Sequence, residues 1–141
     1  MWLRSFCFTL RMEINTLENP VKTIFLAEGE RHVLDALRLM LEEKRDLEIL
    51  GEAQSAEVLL TKVCKNAPDI ILLDWDLPGI HHLRLIAALR VCCPAAQLIA
   101  LSVKPEYEKS AKEYGLDGFI SKQLSAEAFM ESLNHFIAKI G

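Results

Sequence analysis

From residue 21 onward, short apolar runs alternate with longer segments whose apolar residues recur every three or four positions. Val21-Lys-Thr-Ile-Phe-Leu-Ala27 is β-branched and aromatic and predicts a strand. Arg31 to Lys44 sets Val33, Leu34, Leu37, Met40 and Leu41 on the single stripe of a helix packed against a sheet. Leu47 to Ala53 predicts a shorter strand whose polar interruptions suit the sheet edge. Ser55 is a fitting N-cap, with Glu57 in the first turn, for a helix through about Asn66. Ile70-Ile-Leu-Leu73 is apolar throughout, as a central parallel strand buried on both faces should be. A helix from His81 to Val91 stops before Pro94, and Gln97-Leu-Ile-Ala-Leu101 forms the fourth strand. Pro105 opens and Gly115 closes the next helix. Gly118-Phe-Ile-Ser121 is the fifth strand, and Ser125 with Glu127 starts a last helix striped by Phe129, Leu133, Phe136, Ile137 and Ile140.

Five strands and five helices in strict alternation imply parallel strands joined by right-handed crossovers, with helices on both faces of one sheet. The fold class expected is therefore α/β, a doubly wound five-stranded parallel sheet. Residues 1–20 lie outside this alternation and read as an N-terminal tail, leaving 21–141 as one domain. The apolar run near Met1 is too short for a signal peptide and is broken by Arg11, while Met12 offers a second start.

Composition narrows the classes of function. Half the residues are apolar and 26% are charged, which excludes a disordered or fibrous chain. The formal net charge of −4 gives no basic face for nucleic-acid phosphates, so a protein or small-anion partner is expected. Nothing is long and apolar enough to span a bilayer, and the expected location is the cytoplasm. Cys7, Cys64, Cys92 and Cys93 match no zinc spacing and read as small buried hydrophobes in a reducing compartment.

Open parallel sheets bind ligands at the carboxyl ends of their strands. Strands one, three, four and five finish in Glu28, Asp74, Ser102 and Lys122. Each residue alone is an ordinary turn or surface residue. Together, two carboxylates, a hydroxyl and an ammonium form a phosphoryl-handling set. One carboxylate can act as nucleophile, the pair can hold Mg²⁺, and the hydroxyl and ammonium can bind oxygens of the transferred group.

Phe-Leu-Ala-Glu28-Gly29-Glu30, Asp69-Ile-Ile-Leu-Leu-Asp74-Trp-Asp-Leu-Pro-Gly79, Leu101-Ser102 and Asp117-Gly-Phe-Ile-Ser-Lys122 resemble the motif blocks of response-regulator receiver domains of two-component signalling. The resemblance runs from about Val21 to Ile140. Lys122-Gln-Leu-Ser125 is similar to receivers that precede LuxR-type output domains, although no such domain is expected in this chain. The resemblance implies a flavodoxin-like strand order 2-1-3-4-5. It makes Asp74 the phosphoacceptor for a histidine kinase or phosphotransfer protein, with Ser102 and Lys122 contacting the phosphoryl group. Phe119 would be the switch aromatic, its alternative being an ordinary core aromatic. Glu28, Asp74 and the main-chain carbonyl of Asp76 would hold Mg²⁺. A downstream protein partner is implied, a homodimer is open, and no external substrate would be turned over.

The sequence departs from that pattern at one point that matters. The family carries two acidic residues after the first strand, the second a direct Mg²⁺ ligand, whereas here the pair is Glu28-Gly29. Mg²⁺ binding should therefore be weakened or absent. The loop after Ser102 is about two residues shorter than is common, and His81-His82 replaces an acidic-Gly pair, its side chains expected in solvent. Two other readings stand beside the phospho-accepting switch. One is a degenerate receiver that binds proteins without phosphorylation. The other is a haloacid-dehalogenase-like phosphatase built on Asp74-Trp-Asp76, which lacks a late acidic pair because only Glu127 and Glu131 follow Lys122, in a helix pattern.

Overall fold

The computed structural model describes residues 20–140, so the expected tail, with Trp2, Cys7 and Met12, lies outside the described residues apart from Pro20. Five strands, β1 (Lys22–Ala27), β2 (Leu47–Ala53), β3 (Ile70–Asp74), β4 (Gln97–Ser102) and β5 (Gly118–Ser121), alternate with five helices. These are α1 (Arg31–Glu42), α2 (Ala56–Val63), α3 (His82–Cys92), α4 (Tyr107–Glu113) and α5 (Ala126–Ala138). The strands pair in parallel in the order β2-β1-β3-β4-β5. The polar, half-exposed β2 takes an edge, and the wholly buried β3 takes the centre.

Strand alternation divides the core into two layers. Ile24, Leu26, Leu72, Ile99, Leu101 and Ile120 face α1 and α5, where they meet Leu34, Leu37, Leu41, Phe129 and Leu133. Phe25, Ala27, Ile71, Leu73, Leu98 and Ala100 face α2, α3 and α4, where they meet Leu59, Val63, Leu85, Leu89 and Ala111. Ser55 caps α2 by accepting from the Val58 amide at 3.4 Å, and Ser125 caps α5 by accepting from the Ala128 amide at 3.2 Å. Asp69 does structural work at the opposite end of the sheet from the strand tips. Its Oδ2 accepts from the Thr23 amide at 2.9 Å and from the Thr23 hydroxyl at 3.1 Å, locking β3 to β1.

Three sequence expectations change. Pro105 does not open α4. It lies in a turn closed by the Tyr107 amide on the Lys104 carbonyl at 3.2 Å, and the regular helix begins after Glu106. His82 is not a solvated helix-start side chain. Its ring lies 4.3 Å from that of Trp75 and 5.5 Å from that of Tyr114, because the buried indole needs an apolar cover where α3 begins. Only His81 stays exposed, with Nδ1 accepting from the Leu83 amide at 3.3 Å. The cysteines differ most. Cys93 is a small buried hydrophobe as expected, but Cys64 and Cys92 form a disulfide between the C-terminal ends of α2 and α3. Two helices packed side by side on one sheet face bring together residues 28 apart in sequence, a proximity invisible to spacing rules.

Two glycines serve the fold for different reasons. Gly115 ends α4 at φ +86°, a left-handed conformation, with open space where a Cβ would stand. Gly118 lies under the Phe136 ring, whose atoms would be 2.4 Å from an added Cβ. Gly118→Ala should therefore cost about 1–3 kcal/mol from overpacking, and Gly115→Ala about 1–2 kcal/mol from backbone strain alone. Urea unfolding of the two variants measures both costs. Trimming Phe136 to Leu should rescue only the first.

Candidate functional site

The strand register brings three side chains into contact. Ala27 pairs with Leu73 and Asp74 pairs with Leu101, so Glu28 and Asp74 stand level at the carboxyl rim of adjacent strands. Ser102 pairs with Ser121, which puts Lys122 one step beyond the end of β5. Alternation then aims Glu28, Asp74 and Lys122 to the side of the sheet that carries Leu26, Leu72 and Ile120, the side of α1 and α5. The long lysine side chain crosses β4 to reach the two acids.

Lys122 Nζ donates to Asp74 Oδ1 at 2.9 Å and to Glu28 Oε1 at 3.1 Å, and lies 2.8 Å from Glu28 Oε2. Glu28 is fully buried and Asp74 is 4% exposed. Backbone amides complete the shell. The Asp76 amide donates to Asp74 Oδ1 at 3.0 Å, the Gly29 amide to Asp74 Oδ2 at 3.2 Å, and the Glu30 amide to Glu28 Oε1 at 3.3 Å. The sequence pointed to Gly29 and Asp76 only as a missing ligand and a carbonyl ligand. Their amide roles follow from the turns that start at each strand end and leave no sequence signal of their own.

Electrostatics follow from this packing. Burial, reinforced by the neighbouring Asp74 charge, raises the Glu28 carboxyl to about 7, against the opposing hydrogen bond and charge of Lys122. Burial alone would depress the Lys122 ammonium, but its hydrogen bonds to Glu28 and Asp74 outweigh it and hold the ammonium above its usual range. Three groups with two acids and one base thus favour retaining a proton on Glu28 near neutrality, which limits the net charge enclosed.

An open cavity of about 450 Å³ lies over the trio, lined by Glu28, Gly29, Glu30, Val33, Asp74, Asp76, Pro78, Val103 and Lys122. Two of the sequence-predicted residues are absent from its lining. Ser102 alternates to the other side of the sheet, the side of Ala100 and α4, and its hydroxyl accepts from the Lys104 amide at 3.1 Å. Phe119 shares that side, half-buried near the β5 edge and packed against the same layer. The structure therefore gathers Glu28, Asp74 and Lys122 and leaves Ser102 and Phe119 as neighbours of one another's layer.

The donor set accommodates a hard divalent cation in part. Glu28 Oε2 is buried without an aligned hydrogen bond, and Asp74 Oδ2 is held by one long amide bond. Mg²⁺ takes one or two carboxylates and keeps several waters, so the two carboxylates suit it, and Asp76 lines the same cavity. Position 29 adds nothing, and among the described residues no three His, Cys, Asp or Glu side chains converge on one point. A Cβ at position 29 would stand 3.6 Å from Asp74 Oδ2 and 3.0 Å from Pro78 Cδ, so a side chain there would reach the same oxygen. The phosphatase reading finds no acidic pair after Lys122, since Glu127 and Glu131 lie along α5.

Comparison with known proteins identifies the family and the fold. Residues 24–134 match the response regulator receiver domain family. The transcriptional regulatory protein YesN of Bacillus subtilis is 31% identical over 120 residues, covering 83% of this chain and 33% of that protein. The DNA-binding transcriptional activator EvgA of Escherichia coli K12 is 31% identical over 99 residues, covering 69% of this chain and 45% of that protein. The chain thus spans between a third and a half of the length of these relatives. Among solved structures, a LuxR-family two-component response regulator from Aurantimonas sp. SI85-9A1 superposes with a TM-score of 0.75 at 20% identity, covering 84% of this chain and 86% of that one. The isolated receiver domain of RcsB from Salmonella enterica serovar Typhimurium gives 0.76 at 18% identity, covering 84% and 90%. The match over 111 residues, the 2-1-3-4-5 sheet and an aspartate, a glutamate and a lysine joined at its carboxyl rim place the chain in the receiver-domain family of two-component response regulators.

Proposed function

We propose that this receiver accepts a phosphoryl group on Asp74 from the phosphohistidine of a histidine kinase or phosphotransfer protein. The observation that carries the reading is the buried Asp74 carboxylate, joined to the Lys122 ammonium at 2.9 Å beneath an open cavity. A carboxylate oxygen attacks phosphorus, the phosphorus–nitrogen bond of the donor breaks, and imidazole leaves. Lys122 is the fixed cation beside the group received, where negative charge accumulates. Mg²⁺, held by Glu28, Asp74 and the Asp76 carbonyl, would neutralise further charge on the phosphoryl oxygens. Its affinity is low for a receiver because Gly29 supplies no carboxylate.

Ser102 and Phe119 then form the switch. The Ser102 hydroxyl exchanges the Lys104 amide for a phosphoryl oxygen, and the half-buried Phe119 moves inward along the same sheet side. The face built by α4, β5 and α5 changes shape and is read by a downstream protein partner. YesN and EvgA are named as transcriptional regulators, and the output of this chain is of that kind. The chain turns over no external substrate.

Trp75 follows Asp74 directly and is 5% exposed, which makes it a reporter of the site. In a Trp2→Phe background, its fluorescence should change with millimolar Mg²⁺ and change again on adding beryllofluoride. Asp74→Asn should abolish the second response. A folded chain that stays silent to both would be a phosphorylation-independent binding module, the reading that Gly29 favours.

Gly29→Asp should tighten Mg²⁺ binding by about tenfold, or ~1.4 kcal/mol, at the cost of a small shift of Pro78. Titration calorimetry of the variant beside the parent decides this.

The raised Glu28 carboxyl fixes a pH dependence. Cation binding needs the ionised form, so Mg²⁺ affinity should climb up to about pH 7 and then level off, with proton release below that point. In the cation-free chain the unfolded glutamate ionises near its ordinary value of 4.5, whereas the folded one keeps its proton to about 7. The folded state binds more protons in that window, so Glu28 lowers stability as pH rises through it, by up to about 3 kcal/mol. Glu28→Gln should flatten both profiles, as seen by calorimetry and urea unfolding between pH 5 and pH 8.

A further inference from the structure

The disulfide lies at the opposite end of the molecule from the phosphoryl site, yet both of the helices it joins reach that site. Cys64 caps the C-terminus of α2 and Cys92 is the last residue of α3, with Cα atoms 5.0 Å apart, inside the range a bridge spans without backbone movement. At their other ends, α2 and α3 hold the loop that follows Asp74. The Ala56 amide donates to the Pro78 carbonyl at 2.9 Å, and the Glu57 carboxylate packs where a Gly79 side chain would stand. The His82 ring covers Trp75 at 4.3 Å. A closed ring results: bridge, α2, the loop from Trp75 to Gly79, α3, bridge.

We infer that Cys64 and Cys92 are a reversible redox site whose bridged form clamps the loop after Asp74. The couple is two thiols against one disulfide. Oxidation by a low-molecular-weight disulfide such as glutathione disulfide forms the Cys64–Cys92 bond, releases two glutathione thiols and so moves two electrons without net loss of atoms. Cys64 is exposed and open to the incoming reagent, and Cys92 is half-buried beside it. Cys93 stays out of the exchange. It is 1% exposed, its thiol donates to the Val63 carbonyl at 3.5 Å, and burial raises its pKa, so it offers little thiolate to attack the bridge. Cys92 and Cys93 are adjacent yet not equivalent, because successive residues at a helix end point in different directions.

Reduction opens the ring at the bridge. The loop contacts of α2 and α3 then fluctuate without a covalent tie between the helices' far ends, and the loop opens more often. That consequence bears on switching only if Asp74 is the acceptor, whereas the clamp itself is read without any phosphoryl donor.

The test uses the full chain, equilibrated in glutathione buffers from oxidising to reducing, acid-quenched, alkylated and mapped by mass spectrometry. Cys64 and Cys92 should gain and lose label together in a single two-electron step that Cys64→Ser removes, with Cys93 unlabelled until the chain is denatured. Independent labelling of the two, or a bridge to Cys93, overturns the site. Hydrogen exchange then reads the clamp. Amides of residues 75–81 should exchange on the order of fivefold faster in the reduced chain and in Cys92→Ala, while β1 is unchanged. Equal rates in both forms, or a uniform rise across the sheet, overturn the clamp.

Discussion

One partly buried ammonium shared by two buried carboxylates sets the terms for the rest of this site. Lys122 Nζ lies 2.9 Å from Asp74 and 2.8 Å from Glu28, and neither acid has appreciable access to water. Two carboxylates enclosed together repel, and desolvation penalises each, so either one without the lysine would be costly to ionise. With the lysine, Asp74 keeps a cation and two amide donors, and the burden falls on Glu28, whose carboxyl rises to about 7. Everything a phosphoryl acceptor needs from its surroundings depends on that arrangement: a fixed cation, an oxygen only lightly held and a cavity above.

The arrangement is a product of sheet register. Parallel pairing of β1 with β3 and of β4 with β5 sets the strand ends in a stagger that a lysine can span and an aspartate cannot. Alternation sends Glu28, Asp74 and Lys122 to one side and Ser102 and Phe119 to the other. The division separates two tasks. Under the proposed function, charge is handled on the α1 and α5 side of the rim, and shape change falls to the α4 side, where Ser102 accepts from a neighbouring amide and Phe119 is half-buried. A switch needs such a boundary, since a group already locked to the acceptor could not report its occupation.

Gly29 alters the balance without disturbing the frame. Its amide remains a donor to Asp74, so the turn after β1 is kept, while the position itself offers a cation no carboxylate. The proposed cation site has two acids, one of them holding a proton near neutrality. At the other end of the molecule, the bridge between α2 and α3 ties down helices that support the loop after Asp74. The proposed cation binding and thiol exchange would thus both bear on the turns that flank Asp74.

Much of this was legible in the sequence, and the reason is periodicity. The β-branched runs, the helical stripes and the serine caps specify local structure through nearest-neighbour sterics and burial, so ten elements, their alternation and the edge position of β2 could be read directly. The four strand-end residues Glu28, Asp74, Ser102 and Lys122 could be read as well, because parallel sheets put their chemistry at one rim. Contacts between residues distant in the chain could not. The side of the sheet taken by Ser102, the cover that His82 gives Trp75, the two backbone amides on Asp74 and the meeting of Cys64 with Cys92 all arise from how strands register and helices pack. Those are decided by the whole core at once, since a side chain's partner depends on every element that brings it there.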